Sequence, residues 1–96
     1  MQTLAEIKNQ LGILKPKLAT EFAVEQIGVF GSFARNEQNE KSDIDILIAF
    51  SRPVGYEFFR LARFLEKQLG RKIDLATPAM LKETMKDAVL SETSFV

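Results

Sequence analysis

The sequence predicts a small single-domain α+β protein (α/β in the broad sense), a short mixed sheet flanked by helices. Three observations lead there. Apolar residues recur at spacings of three and four near the N-terminus and again over 58–69, which marks helices with one buried face. The run Asp43-Ile-Asp-Ile-Leu-Ile-Ala-Phe50 is apolar on both alternating faces beyond Asp45, which marks a strand covered on both sides. The chain has 96 residues, enough for one modest core and no second one.

The elements follow in order. Leu4, Ile7, Leu11 and Leu14 lie on one helical face. Gly12 and Pro16 predict a break or kink near 12–16, because proline removes a donor and crowds the preceding turn. A second short helix would then carry Leu18 and Phe22, with Pro16 in its first turn. Residues 26–31 read as a strand, 33–41 as a short helical turn plus loop, and 43–50 as the central strand. Ser51 to Gly55 is a loop.

A helix is expected over about 56–69, with Phe58, Leu61, Leu65 and Leu69 in one stripe, Ala62 beside it and Gly70 as its terminator. Residues 72–76 form a short strand. Thr77-Pro78 predicts a cap and first turn for a last helix over 78–89, with Leu81, Met85 and Val89 on its apolar side. The tail 90–96 carries no assignment. The whole chain, 1–96, divides into N-terminal helices (1–23), a sheet region (26–76), a C-terminal helix (78–89) and the tail.

Composition narrows the chemistry. Cysteine and histidine are both absent. That removes disulfides, thiol chemistry, Cys/His zinc sites and any Ser-His-Asp or Cys-His mechanism. What remains must use carboxylates, hydroxyls, Lys or Arg. Thirteen basic residues balance thirteen acidic ones, so the excess positive charge of a nucleic-acid binder is missing. Low self-repulsion suits association with another chain. No signal-like or membrane-spanning run is evident, and a cytoplasmic protein without membrane contact is expected.

Asp43 and Asp45 are two apart, so on a strand their carboxylates share a face, about 7 Å apart at Cα. Two such acids repel, and a hard divalent cation such as Mg²⁺ or Mn²⁺ relieves them. A lone Asp-x-Asp also occurs on solvated strand ends. Gly31-Ser32 closes a strand before a helical turn; it suits phosphate, and it equally suits a plain turn with Ser32 as its cap. Asp74 lies between Ile73 and Leu75, pointing away from them. It joins the same site if its strand neighbours the central one; otherwise it is a surface residue paired with Lys72 or Arg71. Arg35 has two readings, a contact to phosphate or a partner acid, and an ion pair with Glu37. Ser42 is read as shaping the start of the strand, Phe30, Phe33 and Phe50 chiefly as core, and Lys41 and Arg52 as solvated.

Gly31-Ser32-Phe33-Ala34-Arg35, followed by Ser42-Asp43-Ile44-Asp45-Ile46-Leu47-Ile48, closely resembles the signature of the minimal nucleotidyltransferases of the DNA polymerase beta-like superfamily. That pattern reads G-S-x-A-R-G, a polar stretch, then S-D-I-D-L-L-V. The flanking helices and the later acid-bearing strand agree in order over nearly the whole chain. One position departs: Asn36 stands where the family usually has glycine. Asparagine tolerates a left-handed backbone better than most residues, so the turn is expected to survive.

The resemblance implies the minimal nucleotidyltransferase fold and a Mg²⁺-dependent transfer of AMP from ATP. Gly31 and Ser32 would hold the triphosphate; Asp43, Asp45 and Asp74 would be the catalytic, metal-holding acids. It also implies a partner, a HEPN-domain ribonuclease toxin, with this chain as the antitoxin that modifies a toxin tyrosine, binds the toxin, or does both. A hetero-oligomer is expected, since 96 residues leave little surface for gripping an acceptor. Two other readings stand beside this one: an antitoxin of weak or no activity that acts by binding, and a small-molecule nucleotidyltransferase of the antibiotic-modifying kind.

Overall fold

The structure, a computed structural model describing residues 2–96, opens with helix α1, Leu4–Phe22. Thr3 caps it: its Oγ1 accepts from the Glu6 N–H (3.2 Å). The break expected at Gly12 and Pro16, and the separate second helix, are absent; Pro16 lies inside one continuous helix. Gly12 and Pro16 are both exposed, so water can satisfy the carbonyl that proline leaves without a donor. Ile7 and Leu11 before the interruption, and Leu18 and Phe22 after it, are all buried in one core. Four such side chains contribute roughly 1.5–3 kcal/mol each, against about 3 kcal/mol for an interior proline. Packing therefore carries the helix through.

Ala23 ends α1 in the left-handed conformation (φ 57°), and strand β1, Val24–Phe30, starts at once. It begins two residues earlier than expected and stops before Gly31, which opens the one-turn helix α2, Gly31–Ala34. Strand β2 is Ile44–Phe50. Helix α3, Glu57–Leu69, ends on Gly70 in the left-handed conformation (φ 67°), as its position in the sequence predicts. Leu61, Leu65 and Leu69 of the stripe are buried, with Phe58 and Ala62 packed at its margin.

Strand β3, Ile73–Ala76, runs parallel to β2, while β1 runs antiparallel to it. The sheet order is β3-β2-β1 with a fourth strand beyond β1. Helices α1 and α3 cover one sheet face. There Ile27 and Val29, Ile44, Ile46 and Ile48, and Ile73 and Leu75 join the helical residues in a single core. Alternation and register put Gly28 and Phe30, Asp45 and Leu47, and Asp74 together on the opposite face.

The C-terminal third departs from expectation. Pro78–Met80 forms a separate 3₁₀ turn, Thr77 makes no side-chain cap, and Leu81 and Lys82 are extended. The last helix, α4, is Glu83–Glu92, and among its residues Val89 alone is buried; Met85 is exposed. The turn closes on itself through the Leu81 N–H to the Pro78 carbonyl (3.2 Å), which leaves no helical donor pattern to propagate. The tail is neither frayed nor free. Ser94–Phe95 forms strand β4 against Gly28 and Val29, and the Val96 N–H donates to the Ile27 carbonyl (2.9 Å). Gly28 makes this possible: a Cβ there would lie 2.5 Å from the Thr93 methyl and 2.9 Å from the Phe95 ring.

Candidate nucleotidyl-transfer site

The site lies where β1 turns into α2 and where β2 and β3 begin. Phe30 is the register partner of Asp45 across β1 and β2, and Asp45 is the partner of Asp74 across β2 and β3. Gly31 takes a positive φ (71°) and presses on the acid. A Cβ at Gly31 would overlap Asp45 Oδ2, so any side chain there would have to displace the carboxylate as well as hold a left-handed backbone. Ser32 follows at the first turn of α2 and is half-buried.

The three acids are not equivalent. Asp45 is half-buried; Asp43 and Asp74 are exposed. The Asp45 carboxyl is pushed up from its ordinary 3.8 to about 6, first by burial, then by the charge of Asp74 and hydrogen bonding to it, then by the charge of Asp43; Arg35 opposes the rise. Asp74 is thus the nearer electrostatic partner. The Asp43–Asp45 pair expected from strand alternation is looser than that, because β2 starts at Ile44 and leaves Asp43 outside it. Among the described residues no three Asp, Glu, His or Cys side chains already stand close enough together to hold a metal ion. Mg²⁺ does not need a finished protein cage: it usually keeps several waters and uses one or two carboxylates plus phosphate oxygens. The Asp45–Asp74 pair, with a raised acid already strained by its neighbour, fits that mode.

Two further residues shape the site, and the sequence alone gives no reason to single them out. Arg71, just after the glycine that ends α3, donates to the carbonyls of Glu40 (3.0 Å) and Ser42 (2.9 Å) and to Gln2 Oε1 (3.0 Å). Its guanidinium also lies over the ring of Phe33, which is fully buried. It therefore ties α2 to the loop that delivers Asp43. Glu92, at the end of α4, accepts from the Gly31 N–H (3.1 Å) and binds Arg35 Nη1 through both oxygens (3.2 and 3.0 Å).

Arg35 pairs with Glu37 as well (2.8 Å), so the local ion pair foreseen for it exists together with one to a distant acid. Ser42 organises the approach to β2, its Oγ accepting from the Asn39 N–H (2.9 Å). Asn36 holds a left-handed backbone (φ 58°), the conformation that a glycine would supply. Phe33 is core and Phe50 packs against Phe58 with the rings tilted; Phe30 is half-buried beside Asp45. Lys41 and Arg52 are exposed, and Arg52 pairs with Glu57.

Residues 8–96 match the family described as Nucleotidyltransferase domain. The chain belongs to that family. This nucleotidyltransferase is 41% identical over 97 residues to the protein adenylyltransferase MntA of Thermococcus cleftensis, covering 100% of this chain and 98% of that one. It is 46% identical over 83 residues to a provisionally named protein adenylyltransferase of Methanocaldococcus jannaschii, covering 85% of each. Among solved structures, a provisionally named minimal nucleotidyltransferase superposes with TM-score 0.79 at 29% identity, over 97% of this chain and 95% of that one. The fold is also that of the MNT antitoxin in its complex with a tri-AMPylated Shewanella oneidensis HEPN toxin (TM-score 0.68, 18% identity, 97% and 71% covered). The chain is accordingly a minimal nucleotidyltransferase with a four-stranded mixed sheet. No helix among the described residues is long and apolar enough to cross a membrane.

Proposed function

We propose that this nucleotidyltransferase is a cytoplasmic antitoxin that transfers AMP from ATP to a hydroxyl, that of a tyrosine, on a HEPN ribonuclease toxin. The observation that carries the reading is the identity of 41% to a protein adenylyltransferase along the full chain, with Gly31, Ser32, Asp43, Asp45 and Asp74 all in place.

In this reading the Gly31-Ser32 turn receives the triphosphate beside the acids. Asp43, Asp45 and Asp74 would hold Mg²⁺ or Mn²⁺. The cation, when bound, supplies charge stabilisation for the entering and leaving oxygens. The acceptor oxygen attacks the α-phosphorus in line, forming one P–O bond as the bond to the β-phosphate oxygen breaks and pyrophosphate leaves. The hydroxyl proton passes to the Asp74 carboxylate, which is exposed and open to an incoming protein. No histidine is needed.

A second reading, neutralisation by binding alone, draws on the exposed aromatic pair Tyr56 and Phe59, 65% and 59% accessible, with ring centroids 6.2 Å apart. Aromatic side chains of this kind anchor protein interfaces. One experiment separates the two. The protein and its toxin partner are incubated with ATP and Mg²⁺, and intact masses are compared with those from a variant carrying Asp43→Asn and Asp45→Asn. Addition of one or more AMP units to the toxin, lost in the variant, supports transfer. No addition with any nucleotide, while toxin binding and silencing persist, supports binding.

A further inference from the structure

The Gly31 N–H is the first donor of the turn that faces Asp45, and it is already taken. Glu92 Oε1 accepts from it at 3.1 Å, and the same carboxylate clamps Arg35 at 3.2 and 3.0 Å. The two sides of Gly31 are thus fixed by two different acids. Asp45 lies where a Cβ would point, and Glu92 lies on the amide. Glu92 is only one-quarter exposed at its side chain, and a charge-assisted bond at such a place is stronger than a surface ion pair. It arrives from the far end of the chain, 61 residues away.

We propose that Glu92 is a positioning residue of the transfer site. By holding the peptide between Phe30 and Gly31 and by restraining Arg35, it keeps the Gly31-Ser32 turn seated against the Asp45 carboxylate in readiness for a nucleoside triphosphate. The phosphate contacts of this turn then fall to Ser32 and the amides after Gly31. The inference rests on the transfer reading. Glu92 is separable from the fold of its own segment: Val89 is buried independently, and Val96 bonds to Ile27 beyond it. Replacing Glu92 therefore leaves α4 and β4 attached.

The test uses the full chain, with Glu92→Ala and Glu92→Gln. Affinity for a non-hydrolysable ATP analogue with Mg²⁺ is read by calorimetry, KM for ATP and kcat by AMP transfer, and thermal stability by circular dichroism. Glu92→Ala is expected to weaken analogue binding and raise KM about tenfold or more, the worth of one charge-assisted hydrogen bond. Glu92→Gln keeps an acceptor for the Gly31 N–H and is expected to recover part of the loss at equal or better stability. Should the alanine variant not fold, the isosteric glutamine variant carries the test through a smaller loss in the same direction. Unchanged affinity, or a fall in kcat with KM kept, overturns the proposal. Tighter binding also overturns it, since Glu92 would then merely block the turn. Glutamine as poor as alanine overturns the role given to the Gly31 bond. Failure of the transfer reading shows elsewhere, in wild-type protein that transfers nothing, and the binding readout on the variants stands without it.

Discussion

Asp45 and Asp74 stand opposite one another on adjacent parallel strands, in register, and the half-buried one holds its proton up to about pH 6. Sheet pairing thus forces two like charges together where solvent screens them only partly. The protein tolerates this repulsion, which is how sites that take a cation are commonly built.

The pairing has a pH signature. The folded chain retains the Asp45 proton between about pH 4 and pH 6, where the unfolded chain has released it. The folded state binds more protons there, so stability falls as pH rises across that window and is level above it. Thermal melts without divalent cation should show this decline. Asp74→Asn removes the neighbouring charge that contributes most and should make the decline shallower, while burial of Asp45 keeps part of it. Added Mg²⁺ should raise the melting temperature above pH 6 and lose that effect below about pH 5, where Asp45 is protonated.

Gly31→Ala should be severe for a one-carbon change. The residue has φ 71°, and the new Cβ would overlap Asp45 Oδ2. The backbone cost alone is about 1–2 kcal/mol, and the displaced carboxylate should take AMP transfer to background. Urea melts and the intact-mass assay read the two effects.

Arg71→Met should loosen the loop before Asp43 while sparing the hydrophobic core. It removes donors to the Glu40 and Ser42 carbonyls, at a cost of about 1–3 kcal/mol. Hydrogen exchange should accelerate over 39–44 and stay unchanged in α3, and transfer should drop with it.

Pro16→Ala should stabilise the protein. It restores the helical donor for the Gly12 carbonyl in an exposed stretch of α1. The gain, about 2 kcal/mol, is the interior-proline penalty less the entropy that proline removes from the unfolded chain. A higher melting temperature with unaltered transfer is the expected outcome.

Asn36→Gly should be nearly neutral or slightly stabilising, since the backbone is already left-handed (φ 58°). Asn36→Ala should cost about 1 kcal/mol. Equal transfer by wild type and the glycine variant would show that the family's usual glycine serves conformation and not contact.

Much of the framework is legible without coordinates. The apolar run of β2, the stripe of α3 and its glycine stop, and the alternation around Asp74 are short-range patterns, and the period of side-chain burial follows from local geometry. The Gly31-Ser32 and Asp43-Ile44-Asp45 segments stand out in the sequence through their resemblance to the nucleotidyltransferase signature; by spacing alone they suit a capped turn and a solvated strand end equally well. The break that Gly12 and Pro16 predict does not form, because a local penalty is outweighed by the burial of Ile7, Leu11, Leu18 and Phe22 on either side of it.

The sequence by itself determined the fold class, the family and which acids are available. Tertiary structure alone decided which of them meet. Asp74 reaches Asp45 because a parallel pairing, set by the packing of α3, brings residues 29 positions apart into register. Asp43 falls outside the strand that alternation would have extended to it. Glu92 reaches Gly31 because a small glycine at 28 lets the C-terminal segment fold back over β1. Such contacts join residues whose separation along the chain carries no period, so no local pattern records them; only the closing of the sheet and its core brings them together.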